Sequence, residues 1–147
     1  MADTPDEFMR AAIDEAIAGR DEGGIPIGSA IARDGKLLGR GHNRRVQEGN
    51  PIAHAEIDCL ERTGRIGSYA GTTLYSTLMP CYLCAGAVVQ FGIKKVIVGE
   101  SATFAGAREF MEAHGVEVVD LDNAECKQLM TSFIAANPEL WNEDIGK

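Results

Sequence analysis

Apolar positions recur along the chain with two alternating periods, one typical of helices and one typical of strands. The first helical stretch ends between Gly19 and Glu22. Its apolar face consists of Met9, Ile13, Ala16 and Ile17. Before it, Thr4-Pro5-Asp6-Glu7 has the form of a capping box with proline at the first helical position. The pattern therefore predicts an N-terminal helix that begins at this box.

The rest of the chain alternates between predicted strands and helices. Strands are predicted at 25–32, 36–41, 72–77, 95–98 and 116–121, and helices at 53–62, 81–91, 107–113 and 122–137. Arg33-Asp34-Gly35 forms a hairpin turn between the first two strands. A second capping box, Asp122 to Glu125, opens the last helix, and Asn137-Pro138 ends it. The helix at 81–91 is apolar and is therefore expected to be buried.

This order of elements predicts an α/β fold in a single domain over residues 1–147. A hairpin followed by strand–helix units gives one mixed sheet of about five strands with helices on both sides. The strand near Val96 is apolar, as expected for a strand that is covered on both faces. A chain of 147 residues is long enough to build one hydrophobic core.

The charge of the chain restricts its partners. The sequence has 14 Lys and Arg against 22 Asp and Glu, a net charge of −8, which disfavours nucleic acid and anionic membranes and permits a small neutral ligand. The first residues are acidic, unlike a signal peptide, and no apolar run approaches the roughly 18 residues of a membrane span. We expect a cytoplasmic protein that binds neither nucleic acid nor a membrane.

Two short motifs at the starts of successive predicted helices indicate a metal site. They are His-x-Glu at 54–56 and Pro-Cys-x-x-Cys at 80–84. The two cysteines are three residues apart and lie on one face of their helix, which suits two ligands of a tetrahedral ion. His54 and Glu56 are about 200° apart around a helix, so they can share only a site beyond its N-terminal end.

The residues of these motifs predict a catalytic zinc site. His54, Cys81 and Cys84 supply three protein ligands, which leaves the fourth position of one Zn²⁺ ion per chain for water. The N-terminal ends of helices favour the thiolate form of cysteine that binds a metal. Glu56 is then the nearby base and need not bind the metal.

Each of these residues also has a simpler interpretation. His54 alone is typical of a core or capping histidine, and Glu56 alone of a first-turn carboxylate. The Cys-x-x-Cys pair is also compatible with redox chemistry, or with half of a four-cysteine zinc site that Cys59 and Cys126 would complete. The two motifs in combination, with first ligands 27 positions apart, favour the catalytic metal site.

The combination His-x-Glu and Pro-Cys-x-x-Cys is the signature of zinc-dependent nucleobase deaminases. The chain resembles the fungal-type cytosine deaminases of the cytidine deaminase-like superfamily, and the resemblance extends to residues 23–28, 39–43, 72–75 and 141–146. It implies a three-layer α/β/α sandwich with a mixed five-stranded sheet, usually a homodimer. The implied reaction is hydrolytic deamination of a free pyrimidine base, cytosine or its isomer isocytosine, to uracil and ammonia.

The resemblance also implies roles for individual residues. His54, Cys81 and Cys84 would bind zinc, and Glu56 would transfer protons. The implied substrate-binding residues are Asn43, Ala55, Met79, Phe104, Trp141 and Asp144. Taken without the resemblance, Trp141 is typical of a core anchor, Asp144 of a solvated carboxylate, and Asn43 of a turn.

Four positions depart from the fungal pattern: Ala55 replaces glycine, Val46 an aromatic residue, Met79 serine and Tyr82 aspartate. Because three of these positions flank the catalytic motifs or the Asn43 loop, the identity of the substrate base stays open. One alternative is an adenosine or guanine deaminase that acts on tRNA or another nucleic acid, which the net charge and the closing Trp141 segment disfavour. Another is a non-catalytic module stabilised by zinc, which has no need for Glu56.

Overall fold

The computed structural model describes residues 6–147, which form a five-stranded sheet with helices on both faces. The strands are β1 (Gly28–Arg33), β2 (Lys36–His42), β3 (Thr73–Leu78), β4 (Lys95–Glu100) and β5 (Glu117–Asp120). The helices are α1 (Glu7–Asp21), α2 (Arg45–Glu48), α3 (Ala55–Thr63), α4 (Tyr82–Gln90), α5 (Arg108–Ala113), α6 (Ala124–Ala136) and α7 (Pro138–Asp144).

The sheet is mixed, with strand order β2-β1-β3-β4-β5. β1 is antiparallel to both of its neighbours, and β3, β4 and β5 are parallel to one another. In register, Ile31 pairs with Leu74, Leu74 with Val96, and Val96 with Val118. The predicted α/β fold with one mixed five-stranded sheet is confirmed.

Alternation along the strands sends apolar side chains to both faces of the sheet. On one face, the buried strand residues pack against Cys59 of α3, Val88 of α4 and Met111 of α5. On the other face, β1 and β3 pack against α1 and α6. Val96 is fully buried on the first face and Ile97 packs on the second, so β4 is covered on both sides as predicted.

Two predicted helix caps differ from the structure. α1 begins after Asp6, whose carboxylate accepts hydrogen bonds from the backbone N–H groups of Phe8 and Met9 at 3.0 and 2.8 Å. Thr4 and Pro5 of the predicted capping box lie outside the described residues. α6 is capped by Asn123, whose side chain accepts from Cys126 N at 2.9 Å. Asp122 has a left-handed φ of 49°, which does not suit an N-cap, so the predicted second box was wrong by one residue.

Two short helices, α2 and α7, were not predicted. Proline suits the first position of a helix because that position needs no backbone N–H donor. Asn137-Pro138 therefore ends α6 and also begins α7. The chain between Ile25 and Ile27 is buried but lies before β1, so the first strand is shorter than predicted.

The prediction that the whole of the apolar helix at 81–91 is buried was wrong. Only Cys84, Ala85 and Val88 of α4 are buried, whereas Tyr82 is 74% and Leu83 44% exposed. An apolar composition predicts that a helix is buried, but it does not show which faces of the helix pack against the rest of the chain. Among residues 6–147, no helix combines the length and apolar character of a membrane span.

Candidate active site

Two helix N-termini bring the predicted metal ligands together. His54 is the N-cap residue of α3 and Cys81 is the N-cap residue of α4, and both have extended backbone conformations. Neither side chain caps its own helix, so both are available to a ligand. Cys84 lies in the first turn of α4, on the same face as Cys81.

The distances among the three side chains fit one tetrahedral ion. His54 Nδ1 lies 3.4 Å from Cys81 Sγ and 3.7 Å from Cys84 Sγ, and the three ligand atoms are all within 4.8 Å of one another. Zinc with the usual Zn–N and Zn–S bond lengths has N···S edges of roughly 3.6 Å. The donor set therefore fits zinc without rearrangement of the backbone.

The alternative of a four-cysteine site does not fit the structure. Cys59 of α3 is buried in the core on one face of the sheet, and Cys126 of α6 is buried on the opposite face. Across residues 6–147, the His54, Cys81 and Cys84 cluster is the one group of three such side chains close enough to share an ion.

The electrostatics of the cluster favour a cation. A hydrogen bond from the Cys84 thiol lowers the pKa of Cys81 to about 4 against the effect of burial, and His54 adds to this shift. The same hydrogen bond, together with burial, raises the pKa of Cys84 well above its usual range. Burial opposes the charged form of His54, but Cys81 and Glu56 outweigh it and raise the His54 pKa to about 9. Two negatively charged groups, Cys81 and Glu56, thus lie close to the imidazole of His54.

Glu56 lies in the first turn of α3 and lines the same cavity as His54 and Cys81. The residue is buried, and burial is the main reason that the pKa of Glu56 is raised to about 7, with the negative charge of Cys81 adding to the shift. A carboxyl group with a pKa near neutrality can both accept and release a proton.

The cavity in front of the cluster has a volume of about 620 Å³. The predicted site residues on its wall are Asn43, His54, Glu56, Met79, Cys81, Phe104, Trp141 and Asp144. Ala55 is not on the wall: its side chain is fully buried in a core cluster with Ile25 and Leu78. Ile27, Leu78 and Gly106 also line the cavity and were not predicted, because their apolar or small side chains carry no chemical signal in the sequence.

One donor and one acceptor in the cavity wall make no hydrogen bond. Asn43 and the Asp144 side chain are buried, and Asn43 Nδ2 and Asp144 Oδ1 have no hydrogen bond to any residue that the structure describes. Buried polar atoms are rarely left unpaired in folded proteins. A ligand with both an acceptor and a donor would satisfy them. The expectation for Asp144 without the resemblance, a solvated carboxylate, was wrong, because its side chain is only 6% exposed.

Asp144 lies near two cationic side chains. Its Oδ1 is 3.3 Å from Arg45 Nε and 3.7 Å from His54 Nε2. Burial raises the pKa of Asp144, while the positive charges of His54 and Arg45 oppose the shift. Arg45 was not predicted as a site residue, since its role depends on the unpredicted helices α2 and α7.

Two aromatic side chains form the apolar part of the wall. The rings of Phe104 and Trp141 meet edge to face at 86°, with centroids 5.7 Å apart. Phe104 lies in the connection between β4 and α5. The buried carboxylate of Glu100 holds this connection by accepting the Thr103 amide at 3.0 Å and the Thr103 hydroxyl.

Residues 2–100 match the family model of the cytidine and deoxycytidylate deaminase zinc-binding region. The chain belongs to this deaminase family. It is therefore a zinc-dependent deaminase, as the resemblance predicted. The matched segment contains His54, Glu56, Cys81 and Cys84, whereas Trp141 of the cavity wall lies beyond it.

Individual relatives agree with this assignment. The deaminase is 44% identical to a cytosine deaminase of Candida albicans over 142 residues, which covers 95% of both chains. It is 41% identical over 143 residues to a tRNA-specific adenosine deaminase of Bacillus subtilis, covering 88% of this chain and 89% of the relative. The solved structure of a guanine deaminase from Nitrosomonas europaea has a TM-score of 0.75 at 25% identity, over 90% of this chain and 85% of that one.

Proposed function

We propose that this deaminase converts free cytosine to uracil and ammonia, with zinc held by His54, Cys81 and Cys84. The observation that carries the proposal is that two buried atoms in the cavity wall beside the metal cluster, the donor Asn43 Nδ2 and the acceptor Asp144 Oδ1, make no hydrogen bond. Cytosine offers a carbonyl oxygen to the donor and an exocyclic amine to the acceptor. The similarity to the Candida albicans cytosine deaminase supports the same substrate.

Glu56 is the group that moves protons in this proposal. Zinc, when bound, supplies the Lewis acidity that makes water a nucleophile at neutral pH. Glu56 takes a proton from the attacking water and delivers it to the ring nitrogen next to the carbon that carries the amine. It then relays the second proton of the water to the amine, the C–N bond breaks as the new carbonyl forms, and ammonia leaves.

Other side chains hold the ring during these steps. Asn43 and Asp144 bind its polar edge, and Phe104 and Trp141 enclose it on the apolar side. A site built to hydrogen-bond a substrate rejects an analogue without the matching group by about 10⁴-fold, because buried polar atoms would stay unpaired. The base is therefore selected by its pattern of donors and acceptors.

Ammonia release from a panel of bases tests the proposal. We expect cytosine to give the highest kcat/KM among cytosine, isocytosine, cytidine, adenine, guanine and creatinine. Adenine, which has no carbonyl oxygen, should be slower by about 10⁴-fold. A higher kcat/KM for isocytosine would show that the amine is removed from the other ring carbon. Zinc-loaded protein that releases ammonia from none of the bases would contradict a free base as the substrate.

A second candidate substrate is adenosine in tRNA, which the similarity to the Bacillus subtilis enzyme favours. The net charge of −8 opposes this candidate, since affinity for nucleic acid depends on neutralising phosphates with basic side chains. Deamination of tRNA that falls steeply with salt, without activity on free cytosine, would establish it in place of the first.

We also propose that the protein is a homodimer, with the outer face of α4 in the interface. α4 contains no charged residue, yet Tyr82 and Leu83, which also line the cavity beside the metal cluster, are exposed, and a second copy of the same helix would cover them. Sedimentation equilibrium should give twice the monomer mass of 15.7 kDa. Changing both residues to serine should give monomers, whereas Leu37→Ser, which removes another exposed apolar side chain on β2, should not. A wild-type monomer would contradict this proposal.

A further inference from the structure

Arg45, the first residue of α2, contacts Asn43 and Asp144, two polar residues of the cavity wall. Its backbone amide donates to Asn43 Oδ1 at 2.9 Å. Its guanidinium donates from Nη1 to Glu143 at 2.8 Å, and Nε lies 3.3 Å from Asp144 Oδ1. The Arg45 side chain is only 14% exposed, whereas that of Glu143 is 62% exposed. The buried part of this contact is therefore the part that faces Asp144.

The backbone contact determines the orientation of the Asn43 amide group. A carboxamide has one acceptor oxygen and one donor nitrogen. Because Asn43 Oδ1 is bound to the Arg45 amide, Nδ2 is the atom left without a partner at the cavity. The remaining backbone groups of Asn43 are also fixed, since its N–H donates to Ile27 O and its carbonyl accepts from Gln47.

The side-chain contact acts on α7, which carries Trp141 and Asp144. A buried carboxylate without a cationic neighbour is costly. Of the two cations close to Asp144, His54 belongs to the metal cluster and Arg45 is the nearer. Glu143 on the same helix binds the same guanidinium. Arg45 therefore holds the last helix of the chain against α2 through two adjacent carboxylates.

We propose that Arg45 is a positioning residue for substrate selection, which docks α7 on α2 and places Asp144 where the substrate amine would bind. This inference rests on the proposed function for the identity of the amine but not for the docking of α7. Arg45 touches none of the reacting atoms, so its effect on catalysis passes through Asp144.

A double-mutant cycle tests the coupling to Asp144. We expect Arg45→Ala to lower kcat/KM for cytosine by about 10- to 100-fold, mainly through a higher KM, with zinc content unchanged. In an Asp144→Ala background, the same substitution should cost less than about threefold. If the fold losses in kcat/KM of the two single variants multiply in the double variant, the two residues act independently and the proposal is overturned. An Arg45→Ala enzyme with wild-type kcat/KM would also overturn it.

Trp141 gives a readout that does not depend on activity. It is the only tryptophan of the chain, it lies in α7, and it is buried. Arg45→Ala should raise the acrylamide quenching of Trp141 fluorescence about twofold, because a loosened helix opens more often. The matched control is Arg10→Ala, which breaks the ion pair between α1 and Glu125 of α6 and should leave quenching unchanged.

The fluorescence measurement also separates the two proposals. An inactive wild-type protein whose Trp141 quenching still depends on Arg45 would contradict the proposed function and support the docking role. An active wild-type enzyme whose quenching and KM ignore Arg45 would contradict only the inference about Arg45. Should Arg45→Ala fail to fold, Arg45→Gln retains two of the three methylene groups, removes the charge and carries the same expectations.

Discussion

Replacement of Glu56 by glutamine is expected to lower kcat by about 10²- to 10⁴-fold, the range typical of a lost general acid–base group. Glutamine has the same shape as glutamate but can neither take the proton of water nor return it to the leaving amine. Glu56 is not one of the three clustered ligands, so zinc should remain at one ion per chain. Steady-state ammonia release and metal analysis of the purified variant measure the two effects.

Glu61→Gln is the matched control, since Glu61 lies on the same helix α3 but is exposed. It should leave both kcat and zinc content unchanged. A Glu56→Gln enzyme with full activity would remove Glu56 from the proton-transfer steps. A Glu56→Gln protein without zinc would instead show that the carboxylate supports the metal site.

Replacement of any one of the three clustered side chains should abolish zinc binding and activity together. We expect Cys81→Ala and His54→Ala to be purified without zinc and to show no ammonia release above background. Both variants should also unfold more readily, because an ion that binds only the folded protein stabilises it by about 4 kcal/mol when present at about 1,000 times its Kd. Metal analysis and thermal unfolding with and without added zinc measure these effects.

Cys126→Ala provides the control for cysteine removal itself. Cys126 of α6 is buried on the other face of the sheet from the metal ligands. Its variant should therefore lose some packing energy but keep zinc. Chelation should lower the thermal stability of the wild type and of Cys126→Ala, and leave that of Cys81→Ala unchanged. An undiminished zinc content in Cys81→Ala would exclude Cys81 as a ligand.

The metal cluster could be predicted from the sequence because helix geometry restricts it strongly. Spacings of two and three residues at the starts of two helices allow His54 and both cysteines to meet at one point, as they do in the structure. The sheet was predictable for a similar reason, since most of its strands alternate or are apolar, and the Asp34-Gly35 turn identifies β2, which does neither. These features depend on contacts that are local or periodic.

The substrate-facing residues could not be derived in this way. Asp144 and Arg45 have a role only because α7 packs against α2, and neither short helix has a hydrophobic repeat long enough to recognise. The resemblance indicated Asp144 as a binding residue, but it did not indicate that Arg45 lies beside it. For α4, the apolar composition was clear, but composition does not show that Tyr82 is exposed.

The metal ligands and most of the proposed ring-binding side chains come from different parts of the polypeptide, with Asn43 as the exception. His54, Cys81 and Cys84 lie at the beginnings of α3 and α4, while Phe104, Trp141 and Asp144 follow β4. Directed evolution toward another heterocycle can therefore randomise the codons after residue 100 and leave the hydrolytic centre intact. Variants with a new substrate are best sought in that final third of the sequence.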